Sequence, residues 1–111
     1  MTTRSVTLRE TRDELGTRHL GAKLSADGTL SIEGQELGDG VEQFFGSDNR
    51  EYEWIWTIRP KDVARLAHAL DAGDDVLTAL AERFAGGAAA GLQQFLDEQG
   101  IRYESWSRIG D

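Results

Sequence analysis

Glu51 and Glu53 are separated by one residue at the head of a strongly β-prone run, which puts both carboxyl groups on the same face of a strand. Two carboxyls at that spacing can share a proton, and burial would lift the pKa of one of them toward a range useful for acid–base work. Left exposed, the pair merely repels. Upstream, Glu42 and Asp48 bracket Phe44 and Phe45 in a segment otherwise made of turn formers. Near the other end Trp106 shares parity with Arg102, Glu104 and Arg108, while Ile101, Tyr103 and Ile109 take the opposite parity. If the core takes the odd residues, Trp106 is exposed beside arginine, the composition of a binding hot spot. A bulge near Ser105 would instead turn it inward.

Other chemistries find little support. The chain has no Cys, which removes disulfides, thiolate metal sites and a thiol nucleophile. His19 and His68 lie in different segments, neither has a second histidine three or four residues on, and Asp71 after His68 is the one carboxylate at that spacing, too few ligands for a metal site to be expected. Asp39-Gly40-Val41-Glu42 with Asp48 offers oxygen ligands but lacks the alternating acids of a calcium loop. No serine sits in a Gly-x-Ser-x-Gly elbow. Gly38-Asp39-Gly40 lacks the further glycine, the lysine and the strand-to-helix setting of a phosphate loop. No catalytic residue and no cofactor is expected, and the reading leans away from an enzyme.

The elements that must hold these residues follow from periodicity. Val6 and Leu8 alternate with Thr7 and Arg9, as in a half-buried strand. Leu20, Ala22 and Leu24 do the same, then Asp27-Gly28 supplies a turn, and Leu30 and Ile32 continue the alternation, so the second and third strands form a hairpin. Residues 34 to 50, rich in Gly, Ser, Asp and Asn, read as a loop with a short helical turn around Val41, Phe44 and Phe45. Residues 52 to 58 give the clearest strand, expected in the centre of the sheet. Tyr52, Trp54, Trp56 and Ile58 face the helices, and Ile55 on the other side extends the Trp106 patch. Pro60 opens a helix with Val63, Leu66, Ala67 and Leu70 on one face, ending at Gly73. Asp74 or Asp75 caps a second helix, closed by Gly86-Gly87, and a third runs from about Ala89 to Gly100 before a last strand. The expected fold is one α+β domain over residues 1–111. It has an antiparallel or mixed sheet of about five strands, with two to three helices packed on one face in the order β-β-β-loop-β-α-α-α-β.

Charge is the most uneven property of the chain. Its 111 residues carry a net −8, with 29% charged and 39% hydrophobic side chains. Residues 27 to 53 hold eight acids against Arg50 alone, a net −7, whereas residues 1 to 26 sum to +2 and residues 54 to 111 to −3. Such a field repels phosphate backbones, so nucleic acid is not an expected partner, and it attracts a protein with a basic surface. Residues 1 to 14 alternate apolar with charged side chains, and no apolar run suits an export signal or a membrane span; a cytoplasmic location is expected and a membrane partner is not.

The stretch DGTLSIEGQELGDGVEQFFGSDNREYEWIWTI, with the tail IRYESWSRIGD, resembles small uncharacterised proteins of GC-rich actinobacteria. In size, acidity and strand-then-helix layout these are similar to immunity proteins that neutralise bacterial toxins. The acids beside an aromatic pair point to a protein-interaction module that binds through the acidic 34 to 53 segment, with Glu42, Phe44, Phe45, Asp48, Glu51, Glu53 and Trp106 as binding residues, and the resemblance implies a toxin antagonist. Two alternatives stay open. One is a small-molecule-binding domain or small enzyme with a carboxylate-lined pocket between the sheet and the acidic segment. The other is a homodimer joined through the outer sheet face at Ile55 and Trp106.

Overall fold

The computed structural model describes residues 3–14, 16–38, 51–73 and 75–110. Five strands, β1 (Arg4–Asp13), β2 (Gly16–Leu24), β3 (Leu30–Leu37), β4 (Glu51–Ile58) and β5 (Glu104–Gly110), form one sheet in the order β1-β2-β3-β4-β5, every neighbouring pair antiparallel. Between β4 and β5 lie the helices α1 (Pro60–Ala69), α2 (Val76–Arg83) and α3 (Leu92–Glu98), with a 3-10 segment, Gly86–Gly91, leading into the last. This is the expected α+β order. Among the described residues no helix is long and apolar enough to cross a membrane.

Local chemistry accounts for most boundaries. Gly28 takes φ +92° in the turn between β2 and β3, and Asp27 accepts the Thr29 N–H at 2.9 Å, an arrangement that favours glycine at this place. Arg59 is extended, as a residue before proline prefers, and Pro60 starts α1. Asp75 caps α2 by accepting from the Thr78 N–H at 3.1 Å and the Thr78 hydroxyl at 2.7 Å. These hydrogen bonds hold its carboxyl below its ordinary pKa, with Arg4 adding a smaller effect.

Leu20, Ala22, Leu30, Ile32 and Ile58 project from one face of the sheet and are buried against Leu66, Val76, Leu77, Leu80, Phe84, Leu92, Phe95 and Leu96 of the helices. The helical layer leans to one side, with α2 over β1 and β2 and the 3-10 segment against β1. β4 and β5 are therefore covered only in part. Asp62 of α1, itself buried, accepts the Arg102 N–H at 3.5 Å and ties that helix to the approach to β5.

Three expectations change. Residues 34 to 37 belong to β3 rather than to a loop, because Gly34 serves its cross-strand neighbour Trp54 and not a turn. A β-carbon at Gly34 would stand 2.1 Å from Trp54 Cε2, so the missing side chain is what lets the indole lie across β3. The middle strand is β3, and β4 is interior but second from the edge. Finally, β1 changes register between Thr7 and Arg9, so that Val6 pairs with Ala22 and Arg9 with Leu20. Past this bulge Arg9 faces the helix side, where simple alternation from Leu8 would have turned it out.

Candidate functional site

The strand pairing places Glu51, Glu53 and Trp106 on the open face of the sheet, away from the helices. Ile55 pairs with Trp106 and Glu53 with Arg108 across β4 and β5, while on the other side Glu33 pairs with Ile55 and Gln35 with Glu53. The register of β4 with β5 is unbroken, so no bulge turns Trp106 inward, and it is 49% exposed. Glu33, Glu51, Glu53 and Glu104 surround the Ile55–Trp106 pair, with Arg108 as the countercharge on β5. Sequence parity thus found the centre of this face. Glu42, Phe44, Phe45 and Asp48 lie outside the described residues.

The two carboxyls behave as a coupled pair. Gln35 donates its amide to Glu53 Oε1 at 3.2 Å and to Glu51 Oε1 at 3.4 Å. The Arg108 guanidinium approaches Glu51 Oε1 at 3.4 Å and Glu53 Oε2 at 3.5 Å. Proton sharing with Glu53 pushes Glu51 below the ordinary carboxylate value, helped by Gln35 and Arg108. The same sharing, with desolvation and the repulsion of Glu51, pushes Glu53 up. Their side chains keep 22% and 29% exposure, so the pair is half-buried and in contact with water. From sequence Arg108 stood out only as a neighbour of Trp106, and Gln35 not at all. Both occupy the cross-strand positions opposite Glu53, information that only the register supplies.

His19, Glu33, Gln35, Glu53 and Ile55 line a depression of about 250 Å³ on the open face. Among the described residues no group of three or more His, Asp or Glu side chains is arranged to hold a metal ion.

The helix side carries a second feature. Where the helical layer leaves β4 and β5 uncovered, a cleft of about 360 Å³ opens, lined by Arg9, Tyr52, Trp54, Trp56, Gln93 and Ser105 among others. Trp54 and Trp56 pack with ring centroids 4.5 Å apart, and Tyr103 follows 5.3 Å from Trp56. The Tyr52, Trp54 and Trp56 face meets the helices as expected, yet these three remain half-buried because they wall the cleft. Arg9 Nε is buried there with no hydrogen-bond partner among the described residues. The lining is cationic, aromatic and hydroxylic, whereas Glu51 and Glu53 stand on the opposite side of β4. The bulge that delivers Arg9 leaves no trace in the apolar alternation, so this site was not legible in advance.

Comparison of the chain with protein-family models, curated proteins and solved structures finds no match in any of the three.

Proposed function

We propose that the chain is a protein-interaction module that binds a partner with a basic surface through the open face of its sheet. The observation that carries this reading is Trp106, half exposed and paired with Ile55 inside a ring of carboxylates. An aromatic anchor supplies the desolvated centre of an interface, and surrounding acids steer and orient a cationic partner. The chain's net charge of −8 acts in the same sense at long range. The resemblance to toxin-immunity proteins makes a basic toxin the first partner class to test. Immobilised chain is exposed to lysate of the source cells at low and at high salt, alongside a Trp106→Ser variant. A basic protein held by the parent at low salt, released by salt and not held by the variant is expected. Equal retention by both chains would move the interface elsewhere, and no retention at low salt would remove the reading.

A second reading attaches to the helix side, favoured by Arg9 Nε, which has no partner among the described residues, in an aromatic-walled cleft. A guanidinium beside indole rings suits a small aromatic carboxylate, which would accept from Arg9 and stack on Trp54. Benzoate and indole-3-acetate, titrated in a thermal-shift assay, should raise the melting temperature of the parent and not of Arg9→Met. A flat response in the parent would discard it.

A further inference from the structure

The edge strand β5 reads as a palindrome in charge and size. Turned antiparallel about Trp106, the run Glu104-Ser105-Trp106-Ser107-Arg108 sets Glu104 opposite Arg108, Ser105 opposite Ser107 and Trp106 opposite itself. One residue further out, Tyr103 falls opposite Ile109. Glu104, Trp106 and Arg108 share the open face, Ser105, Ser107 and Ile109 the helix side, so each face is matched separately.

The two edges of the sheet are also unlike. β1 is bulged beside Leu8 and carries Arg4, Arg9, Glu10 and Arg12, the devices that keep an edge from pairing. β5 has no bulge, and its two charged side chains, Glu104 and Arg108, are opposite in sign and so match one another across an antiparallel pairing. Among the described residues it has β4 on one side and no strand on the other. It runs in register from the Thr57–Glu104 pair to the Glu51–Gly110 pair, contains neither Pro nor Lys, and is exposed from residue 104 to 109. Two of the exposed large hydrophobic side chains, Trp106 at 49% and Ile109 at 44%, stand on it, one on each face.

We infer that β5 pairs antiparallel with β5 of a second copy of this chain, about a two-fold axis at Trp106, continuing the sheet to ten strands. The interface is isologous and closes at two subunits, because each free edge is consumed by the other. On the open face the two Trp106 side chains meet at the axis, flanked on either side by a Glu104–Arg108 pair between copies. The existing pairs, Arg59 with Glu104 at 2.6 Å and Arg108 with Glu51 at 3.4 Å, are exposed and leave both groups free to turn to the new partner. Ile55 of each copy then extends one apolar stripe across the axis. The pairing rests on β5 alone and holds whether or not the open face binds a basic protein.

Sedimentation equilibrium of the full chain over a range of concentrations tests it. The parent is expected to approach twice its 12.3 kDa mass. Glu104→Arg sets arginine opposite arginine at both ends of the interface, and Arg108→Glu sets glutamate opposite glutamate. Each variant alone should self-associate roughly tenfold or more weakly than the parent. Mixed in equal amounts, the two restore opposite charges at both ends and should form a dimer with one chain of each. Circular dichroism reports whether each is folded. Should either fail to fold, Trp106→Lys, a change at an exposed position that sets two lysines against each other on the axis, must give a monomer. A parent that stays monomeric at the highest concentration, charge variants that associate like the parent, a mixture no more dimeric than its components, or a dimeric Trp106→Lys would each overturn the inference.

Discussion

Replacing Gly34 by alanine tests how the aromatic wall is built. The added β-carbon would lie 2.1 Å from Trp54 Cε2, 2.2 Å from Cζ2 and 2.5 Å from Nε1, whereas carbons in contact keep roughly 3.5–4 Å. The indole must therefore move by about 1.5 Å, and it is held from behind by Trp56, with centroids 4.5 Å apart. Overpacking of this kind costs about 1–3 kcal/mol, offset by about 0.5–1 kcal/mol from the lower entropy of an alanine in the unfolded chain. The net loss should be about 1–2 kcal/mol, equivalent to roughly 4–9 °C in melting temperature for a domain of this length. Urea unfolding followed by far-UV circular dichroism gives the energy, and tryptophan fluorescence reports the displaced ring. Trp54→Val should absorb most of the cost of the alanine, a coupling of about 1 kcal/mol in the double-mutant cycle. A Gly34→Ala protein with parental stability and fluorescence, or one losing the same amount in the Trp54→Val background, would refute the reasoning.

Glu53→Gln should stabilise the fold at neutral pH, because Glu53 has a raised folded-state pKa and its favourable contribution is lost as pH rises through that value. The advantage over the parent should vanish in acid, as measured by urea midpoints across pH 3 to 8. Asp75→Asn should show the opposite profile. The lowered pKa of Asp75 contributes stability above its ordinary value that is lost as pH falls through the folded one, so parent and variant converge in acid and the parent is more stable at neutral pH. Leu80→Ala, at a fully buried position beneath the sheet, should cost about 2–5 kcal/mol in the same assay. At concentrations low enough to keep the chain monomeric, Trp106→Ser should change stability by no more than about 0.5 kcal/mol, since the residue is a surface one in the single chain.

The elements with a local chemical cause were legible in the sequence. Asp27 and Asp75 act through their own side-chain hydrogen bonds and Gly28 and Pro60 through their own backbone conformation; Asp27-Gly28 and Pro60 stand where the sequence placed them, and Asp75 is one of the two caps it offered. Alternation over residues 52 to 58 identified β4 and both of its faces. What failed depends on a neighbour distant in sequence. Gly34 looks like a turn former until Trp54 is known to lie across it, and Arg9 looks solvent-facing until the bulge against β2 is known. The cleft has the same origin, because the lean of the helices toward β1 and β2 is a matter of packing volume and leaves no periodic signal. For Trp106, parity allowed two orientations, and the unbroken register of β4 with β5 decides between them. That Glu51 and Glu53 share a face was readable from spacing; the Gln35 and Arg108 side chains that reach them were not.

The open face is tested most directly by site-specific photo-crosslinking in the source cells. One chain carries p-benzoylphenylalanine in place of Trp106 on the open face, and a second carries it in place of Gln93 in the cleft on the opposite side. Position 106 is predicted to capture a heterologous protein with a basic surface, identified by mass spectrometry, and position 93 is not. Capture from position 93 alone, or no heterologous capture from position 106, would contradict the assignment of the open sheet face as the interaction surface.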